Sequence, residues 1–199
     1  MQTESMAEPH RPELILVRHD ETEWSRERRH TGRTDVALTD HGRAQARHIA
    51  AAVESFHFTR SYASPLSRAL ETARLVGLDP DIEPDLLEWD YGRYEGITTA
   101  EIRETDPGWS VWTHPVLDGE SIDEVGARVD RLLHRLLELD GDIALVAHAH
   151  VLRVLGARWL GLDAVEGRRF ALDTATISIL GWERENRVVL RWNDPCGWG

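Results

Sequence analysis

The stretch LILVRHDETEW, residues 14–24, decides the fold of this chain. Its four apolar residues form the short run that is typical of a buried strand. The run ends at Arg18 and His19, and polar residues that must leave the sheet follow. Open α/β sheets bind their ligands at the carboxyl ends of such strands. A second apolar run, IALVA at 143–147, ends in the same way at His148, so the two strand ends together indicate a functional site.

The Arg18-His19 pair has the chemistry needed to handle a phosphate group. A neutral imidazole can act as a nucleophile, and a guanidinium can clamp phosphate oxygens with two parallel hydrogen bonds. Phosphoryl transfer needs further cationic donors, because charge builds up on the equatorial oxygens. The leaving alkoxide needs a proton, which a carboxylic acid can supply. Arg68, Glu88 and His148 are candidates for these tasks, since they follow predicted strands or precede predicted helices.

Each of these candidates, taken alone, also has an ordinary structural explanation. Arg68 fits a solvated helix arginine that pairs with Glu71. Glu88 fits a surface carboxylate, and His148 fits a hydrogen-bonded residue at the end of a strand. A functional interpretation therefore depends on the whole set and on its order along the chain.

The composition indicates one acidic domain. A chain of 199 residues is long enough for a single domain with a real core, and a net charge of −12 opposes binding to nucleic acid or anionic membranes. All 23 basic residues are arginines, which excludes Schiff-base and P-loop lysine chemistry. The one cysteine, Cys196, fits a reducing cytoplasm. We predict a flexible tail at residues 1–12, and no apolar run approaches transmembrane length.

Strands and helices alternate along the chain, which predicts an α/β domain over 13–199 with a largely parallel sheet. The segment 92–119, with Trp109 and Trp112, is expected to be irregular and to form a small cap beside the carboxyl edge of the sheet. The predicted helices span 39–56, 66–76, 121–139 and 151–160. The predicted strands span 14–17, 61–63, 81–87 and 143–147, followed by a closing hairpin of 174–182 and 187–192.

Taken together, these segments resemble the histidine phosphatase superfamily, in its phosphoglycerate-mutase-like branch. The resemblance covers residues 14–192, and its motifs come in the family's order. They are LVRHDETEWS at 16–25, HTGRTD at 30–35, LTDHG at 38–42, SPLSRA at 64–69, EWDYGRYEG at 88–96 and VAHAHVLR at 146–153.

The resemblance implies a three-layer α/β sandwich and a role for each candidate residue. His19 would be the nucleophile that becomes phosphohistidine, and Glu88 would be the general acid and then the base for water. Arg18, Arg68 and His148 would hold the phosphate. The positions implied to contact the substrate are Asp20, Ser25, Thr31, Gly32, Tyr91 and Ala149. The resemblance implies no metal or cofactor, and it implies a small phosphorylated substrate as the partner. Whether the chain forms a homodimer is left open.

Two positions depart from the family's pattern, because Asp20 and Ala149 stand where the family has glycine. Glycine permits unusual backbone angles and the close approach of a ligand. A carboxylate about 5 Å from a phosphate would oppose binding by roughly 3 kcal/mol at an effective dielectric near 20. The Asp20 side chain could instead point away, pair with Arg18 or Arg26, or meet a cationic group of the substrate. It could also mark a weakened catalyst.

Four functions are compatible with these residues, and a phosphatase is favoured. A mutase of this family carries a longer insertion with a lysine and an arginine pair, whereas 96–119 contains only Arg103. A metallohydrolase would use His148 and His150, but no spaced set of carboxylates and histidines completes a metal shell. A phosphate-binding module without catalysis is the fourth option. We therefore expect a metal-independent phosphomonoester hydrolase that acts on a small phosphorylated metabolite.

Overall fold

A computed structural model describes residues 11–197 as an α/β fold built on one six-stranded sheet. The strand order is β3-β2-β4-β1-β5-β6. The first four strands in this order are parallel to one another, and β5 runs antiparallel to both of its neighbours, β1 and β6. The strands are β1 (Leu14–Arg18), β2 (Phe58–Ala63), β3 (Asp81–Ile82), β4 (Asp142–Ala147), β5 (Ile177–Glu183) and β6 (Asn186–Asp194).

Helices cover both faces of the sheet, which gives the three expected layers. Helices α2 and α3 pack in one core cluster with one face of β1, and α5 and α6 pack in a second cluster with its other face. The helices are α1 (Glu23–Arg26), α2 (Asp40–Val53), α3 (Ser67–Leu75), α4 (Thr99–Thr105), α5 (Ile122–Leu136) and α6 (Ala149–Trp159).

The apolar run of β1 belongs to both core clusters. Leu14 and Leu16 point into the cluster of α5 and α6, and Ile15 and Val17 point into the cluster of α2 and α3. Successive side chains of a strand point to opposite faces, so a strand buried on both faces needs a continuous apolar run. This requirement explains why the run does not alternate with polar residues.

Two predicted elements differ from the structure. The strand expected over 81–87 ends at Ile82, and a 3₁₀ helix, Pro84–Leu86, follows it. Proline lacks a backbone donor for the sheet and suits the first position of a helix. The segment 92–119 is not irregular throughout, because it contains α4. Thr98 and Glu101 form a capping box at the start of α4, a signal that was present in the sequence.

Most of the predicted tail, residues 1–10, lies outside the described residues. Arg11 and Pro12, which the prediction included in the tail, contact the β5–β6 hairpin: Arg11 donates to the Arg184 carbonyl at 2.8 Å and Pro12 accepts from Trp182 at 3.0 Å. Within residues 11–197, none of the helices has the length and apolar character that crossing a membrane requires.

Candidate active site

A cavity of about 590 Å³ lies at the carboxyl end of β1 and is closed on one side by the segment that carries α4. Seven of the residues predicted from the sequence line it. They are Arg18, His19, Ser25, Thr31, Glu88, Tyr91 and Ala149. Among the described residues, the wall does not include Asp20, Gly32, Arg68 or His148.

His19 is held with one ring nitrogen bonded to the protein. Its Nδ1 lies 2.7 Å from the main-chain oxygen of Asp20. A carbonyl oxygen can only accept, so Nδ1 carries the proton and Nε2 keeps its lone pair. Burial, with Arg68 and Arg18 adding to it, lowers the pKa of His19 well below its usual value. The imidazole is therefore neutral at neutral pH, as a nucleophile must be.

His148 lies beside His19, as the parallel pairing of β1 and β4 requires. The register aligns Arg18 with Ala147, and His19 donates its main-chain N–H to the Ala147 carbonyl at 2.9 Å. The residues that follow each strand therefore meet, and the ring centroids of His19 and His148 are 5.0 Å apart. Tertiary pairing thus brings together two residues that are far apart in the sequence.

Both ring nitrogens of His148 are occupied by protein groups. Arg68 donates from Nε to Nδ1 at 3.1 Å, and an arginine can only donate. The remaining nitrogen, Nε2, therefore carries the proton and lies 2.7 Å from the hydroxyl of Ser64. The other donors of Arg68 reach the main-chain oxygens of Thr31, Gly32 and Thr34. His148 and Arg68 thus form a buried layer behind His19 rather than part of the cavity wall.

Arg18 lines the cavity, and one of its guanidinium donors is uncommitted. Its Nη1 donates to the main-chain oxygen of Leu172, and its Nε is buried and has no hydrogen-bond partner among the described residues. Burial lowers the pKa of Arg18, which Glu88 and Asp173 partly oppose, but a guanidinium stays protonated in proteins. An unpaired buried donor is costly, so Arg18 is suited to an anionic ligand that supplies oxygen acceptors.

Glu88 is anchored at the N-terminus of α6. Its Oε1 accepts from the main-chain N–H groups of Trp89 and Val151, and its Oε2 accepts from that of His150, at 2.9 to 3.0 Å. The helix dipole and these N–H groups favour a negative charge there. The side chain is 3% exposed and lies on the cavity wall.

Asp20 and Ala149, which stand where the family pattern has glycine, adopt backbone conformations that do not require a glycine. Neither residue has a positive φ, so the departures cost no backbone strain. The Asp20 carboxyl points into the protein, where its Oδ2 accepts from Thr72 at 3.0 Å and its Oδ1 has no partner within the described part of the chain. Burial raises the pKa of Asp20 to about 7, which the Thr72 hydrogen bond and Arg18 partly offset.

Gly32 has a packing role that the sequence did not reveal. An added Cβ would lie 2.2 Å from the Glu95 carboxylate and 2.3 Å from the Trp89 main-chain oxygen. The N–H of Gly32 donates to Glu95 at 2.8 Å. The glycine therefore permits a close approach between the 31–34 loop and the cap segment.

The comparisons with known proteins agree with this geometry. Residues 14–195 match the model of the histidine phosphatase superfamily, branch 1. The chain belongs to this superfamily. An acid phosphatase of Mycobacterium tuberculosis is 45% identical over 181 residues, which cover 88% of this chain and 89% of the relative. A probable phosphoglycerate mutase of an Enterobacter species is 33% identical over 192 residues, or 90% and 89%.

A solved structure supports the same family and the same fold. The product of an open reading frame of Mycobacterium tuberculosis superposes with a TM-score of 0.88 at 42% identity, over 92% of this chain and 97% of that one. The family resemblance and the α/β fold class predicted from the sequence are therefore confirmed. This member of the superfamily also matches relatives whose names are those of phosphatases.

His150 and Arg153 are among the cavity residues of this superfamily member that were not predicted as substrate contacts. His150 Nδ1 lies 2.6 Å from the Tyr91 hydroxyl and 4.0 Å from Glu88 Oε2. Arg153 lies over the ring of Trp112, 4.6 Å from its centroid. Both residues lie in the motif AHAHVLR. His150 and Arg153 are three residues apart on α6, and this spacing was the signal in the sequence that they share one face of the helix.

His150 was considered from the sequence only as a metal ligand together with His148. The nitrogens of His148 are engaged by Arg68 and Ser64. Over residues 11–197, no three His, Cys, Asp or Glu side chains are grouped closely enough to hold a metal ion.

Proposed function

We propose that this protein hydrolyses small phosphomonoesters without a metal ion, through a phosphohistidine at His19. One observation carries the proposal. The hydrogen bond from His19 Nδ1 to the Asp20 carbonyl leaves an unprotonated Nε2 on a nucleophile that lies on the cavity wall. Arg18, at the same strand end, has a buried donor that none of the residues 11–197 accepts from. A neutral nucleophile next to an arginine suits a phosphate dianion.

The reaction has two steps. In the first, Nε2 of His19 attacks phosphorus, the P–N bond forms, and the P–O bond to the leaving group breaks. The departing oxygen takes that electron pair and a proton from Glu88. In the second, water attacks phosphorus while the Glu88 carboxylate takes a proton from the water. The P–N bond then breaks, its electron pair returns to Nε2, and inorganic phosphate leaves.

The hydrogen bonds of Glu88 indicate which of its oxygens carries the proton in the first step. The side chain accepts three backbone hydrogen bonds, two of them at Oε1. Oε2 accepts only one of the three hydrogen bonds and has a free position for the proton. We therefore assign the transferred proton to Oε2.

Arg68 and His148 support the phosphate from behind His19 in this proposal. Arg68 is fully buried, and a buried guanidinium acts at short range through a low dielectric. Its hydrogen bond to His148 and its three bonds to the 31–34 loop keep its charge next to the nucleophile. Direct contact with the phosphate would require that these bonds be exchanged for bonds to the ligand.

A phosphatase is favoured over a mutase and over a module without catalysis. The acid phosphatase relative is 45% identical, and the probable phosphoglycerate mutase relative is 33% identical. The case for a weakened catalyst depended on an Asp20 charge that faces the phosphate. Its carboxyl contacts Thr72 instead, and the side chain is not part of the cavity wall.

The test is hydrolysis of p-nitrophenyl phosphate with and without a chelator, for wild type and His19→Ala. We expect hydrolysis that the chelator does not change, and a loss of several orders of magnitude in the variant. Rapid quenching without acid should trap phosphohistidine in the wild type only. His57→Ala, at an exposed position outside the cavity, is the matched control. Turnover by His19→Ala at the wild-type rate would refute the proposal.

A further inference from the structure

The rim of the cavity carries more positive charge than the phosphate site uses. Its floor holds the buried His19 and Glu88, whereas four arginines of its wall are exposed. They are Arg26, Arg28, Arg29 and Arg103. This basic rim belongs to a protein whose net charge is −12, so it is a local positive region in a negative field.

Two of the four rim arginines are neutralised by nearby carboxylates. Arg26 lies 3.4 Å from Glu23, and Arg29 lies 2.6 Å from Glu27. Arg28 and Arg103 have no ion pair among the described residues. Arg103 donates from Nε to the Trp109 carbonyl at 2.9 Å, which orients the guanidinium and leaves its other N–H groups available.

The backbone at Arg28 is unusual for an arginine. Its φ is 60°, in the left-handed region that glycine occupies without cost. Arg28 donates its N–H to the Ser25 carbonyl, and Arg29 donates to that of Trp24. Together with the end of α1 at Arg26, these bonds form a Schellman motif, whose left-handed position is usually glycine. Six non-glycine residues between 11 and 197 have a positive φ, and Arg28 is the one of them that lines the cavity. Backbone strain at such a place commonly has a functional reason.

Arg28 and Arg103 stand on segments that are joined to each other. Arg29 and Thr98 form an antiparallel bridge. His30 donates to the Ile97 carbonyl at 3.0 Å, and Gly96 donates to the His30 carbonyl at 2.9 Å. The loop after α1 is therefore hydrogen-bonded to the part of the cap segment that precedes α4. The two form one continuous part of the rim.

We propose that Arg28 and Arg103 form a second anion-binding subsite, which selects phosphomonoesters that carry a further carboxylate or phosphate group. The reacting phosphate binds at His19 on the floor, and the second anion binds at the rim. The inference rests on the proposed phosphatase function and adds a substrate class to it. The strain at Arg28 is then explained, because a glycine would relieve it but would remove the charge.

The test compares substrates with and without a second anionic group. A series of ω-carboxyalkyl phosphates of increasing chain length is measured against their methyl esters, which have the same reacting group. A matched pair of a sugar bisphosphate and the corresponding monophosphate covers the phosphate form of the second anion. For the wild type we expect kcat/KM to favour the acid over its ester by about tenfold at the best chain length, and we expect this preference to fall with added salt.

The variants Arg28→Gly and Arg103→Gln should each reduce the preference for the acid about tenfold, and Arg28→Lys should keep most of it. Arg28→Gly should also raise the Tm by about 2–4 °C, because glycine relieves the left-handed strain. A damaged fold would lower the Tm, so a higher Tm together with a reduced preference would indicate the loss of the subsite alone. Arg47→Gln, on α2 away from the cavity, removes the same charge and is the control.

Failure of the subsite can be told apart from failure of the phosphatase proposal. If the wild type hydrolyses acids and esters equally well, or if Arg28→Gly raises the Tm without changing the preference, the subsite is refuted and the phosphatase stands. If the wild type hydrolyses neither, calorimetric binding of the same acids and esters replaces turnover. A binding preference that Arg28→Gly removes supports the subsite, and equal binding refutes it.

Discussion

The carboxyl group of Asp20 is buried beside His19, the proposed nucleophile. One of its oxygens is hydrogen-bonded to Thr72, and the other has no partner among the described residues. Its main-chain carbonyl orients His19, and its side chain points the other way. Burial of a carboxyl without full hydrogen bonding disfavours its charged form. The presence of aspartate where the family has glycine therefore affects the stability of the fold more directly than it affects the binding of phosphate.

The first residue-scale prediction concerns folding stability and pH. The pKa of Asp20 is about 7 in the folded protein, against an ordinary value of 3.8. The folded state therefore holds this proton more tightly than the unfolded chain does, and the contribution of Asp20 to stability falls as pH rises from about 4 to about 7. Asp20→Asn should remove this loss, so its stability relative to wild type should rise by up to about 4 kcal/mol over that range.

Chemical denaturation at about pH 4 and about pH 8 measures the effect. Glu104→Gln, at an exposed position on α4, removes one carboxylate from the surface and should change little between the two pH values. A difference between wild type and Asp20→Asn that is the same at both pH values would contradict the assignment. It would mean that Asp20 titrates alike in the folded and unfolded states.

At the scale of elements, the N-terminus of α6 links strand β4 to the proposed general acid, Glu88. The helix begins at Ala149, directly after the strand residue Ala147 and His148. His148 makes no side-chain cap for the helix, and Glu88 from another segment accepts the N–H groups of His150 and Val151 instead. The proposed acid is therefore held by donors that a helix start leaves unpaired.

Glu88→Gln tests two expectations: that Glu88 stabilises the start of α6, and that it gives a proton to the leaving group. An amide has one oxygen, so at least one N–H group of the helix start would face an NH₂ group and lose its acceptor. We expect a loss of about 1–3 kcal/mol in stability. We also expect alkyl phosphates to be slowed at least about hundredfold more than p-nitrophenyl phosphate, because poor leaving groups need the proton.

Glu95→Gln is a closely matched control for this prediction. Glu95 also accepts three backbone N–H groups, from Gly32, Arg33 and Thr34, but it is not part of the cavity wall. It should share the loss of stability and should slow both substrate classes alike. The same dependence on the leaving group in both variants would show that the effect of Glu88 is structural.

At the scale of the whole molecule, two electric fields act on an anionic substrate in opposite directions. The net charge of −12 repels it at long range, and the arginines of the cavity attract it at short range. The Debye length is about 30 Å at 0.01 M salt, about 10 Å at 0.1 M and about 3 Å at 1 M. Moderate salt therefore screens the distant surface charges before it screens the cavity.

We predict that kcat/KM for a phosphomonoester passes through a maximum as salt increases from about 0.01 M to about 1 M. The rise reflects screening of the repulsive surface, and the later fall reflects screening of the cavity arginines. Steady-state kinetics in a salt of weakly binding ions measures the curve. A steady fall from the lowest salt concentration would show that the cavity alone determines the encounter.

Much of the fold could be predicted because its signals are local. The runs at 14–17 and 143–147 have the length and composition of buried strands, and the capping box at Ser121 starts α5 where it was expected. Helix α4 was missed although Thr98 and Glu101 form the same kind of box. The strand expected over 81–87 was too long, since Pro84 starts a 3₁₀ helix.

The sequence by itself determined the family, the fold class and the candidate residues at the strand ends, because these depend on residue type, spacing and order. Only the tertiary structure decided where side chains point. It turned the Asp20 carboxyl towards Thr72, joined Arg68 and His148 by a hydrogen bond, and held Arg28 in a left-handed conformation with no ion pair to the other described residues. The physical reason is that direction depends on donors, acceptors and space supplied by distant segments. Spacing along one chain does not contain those neighbours.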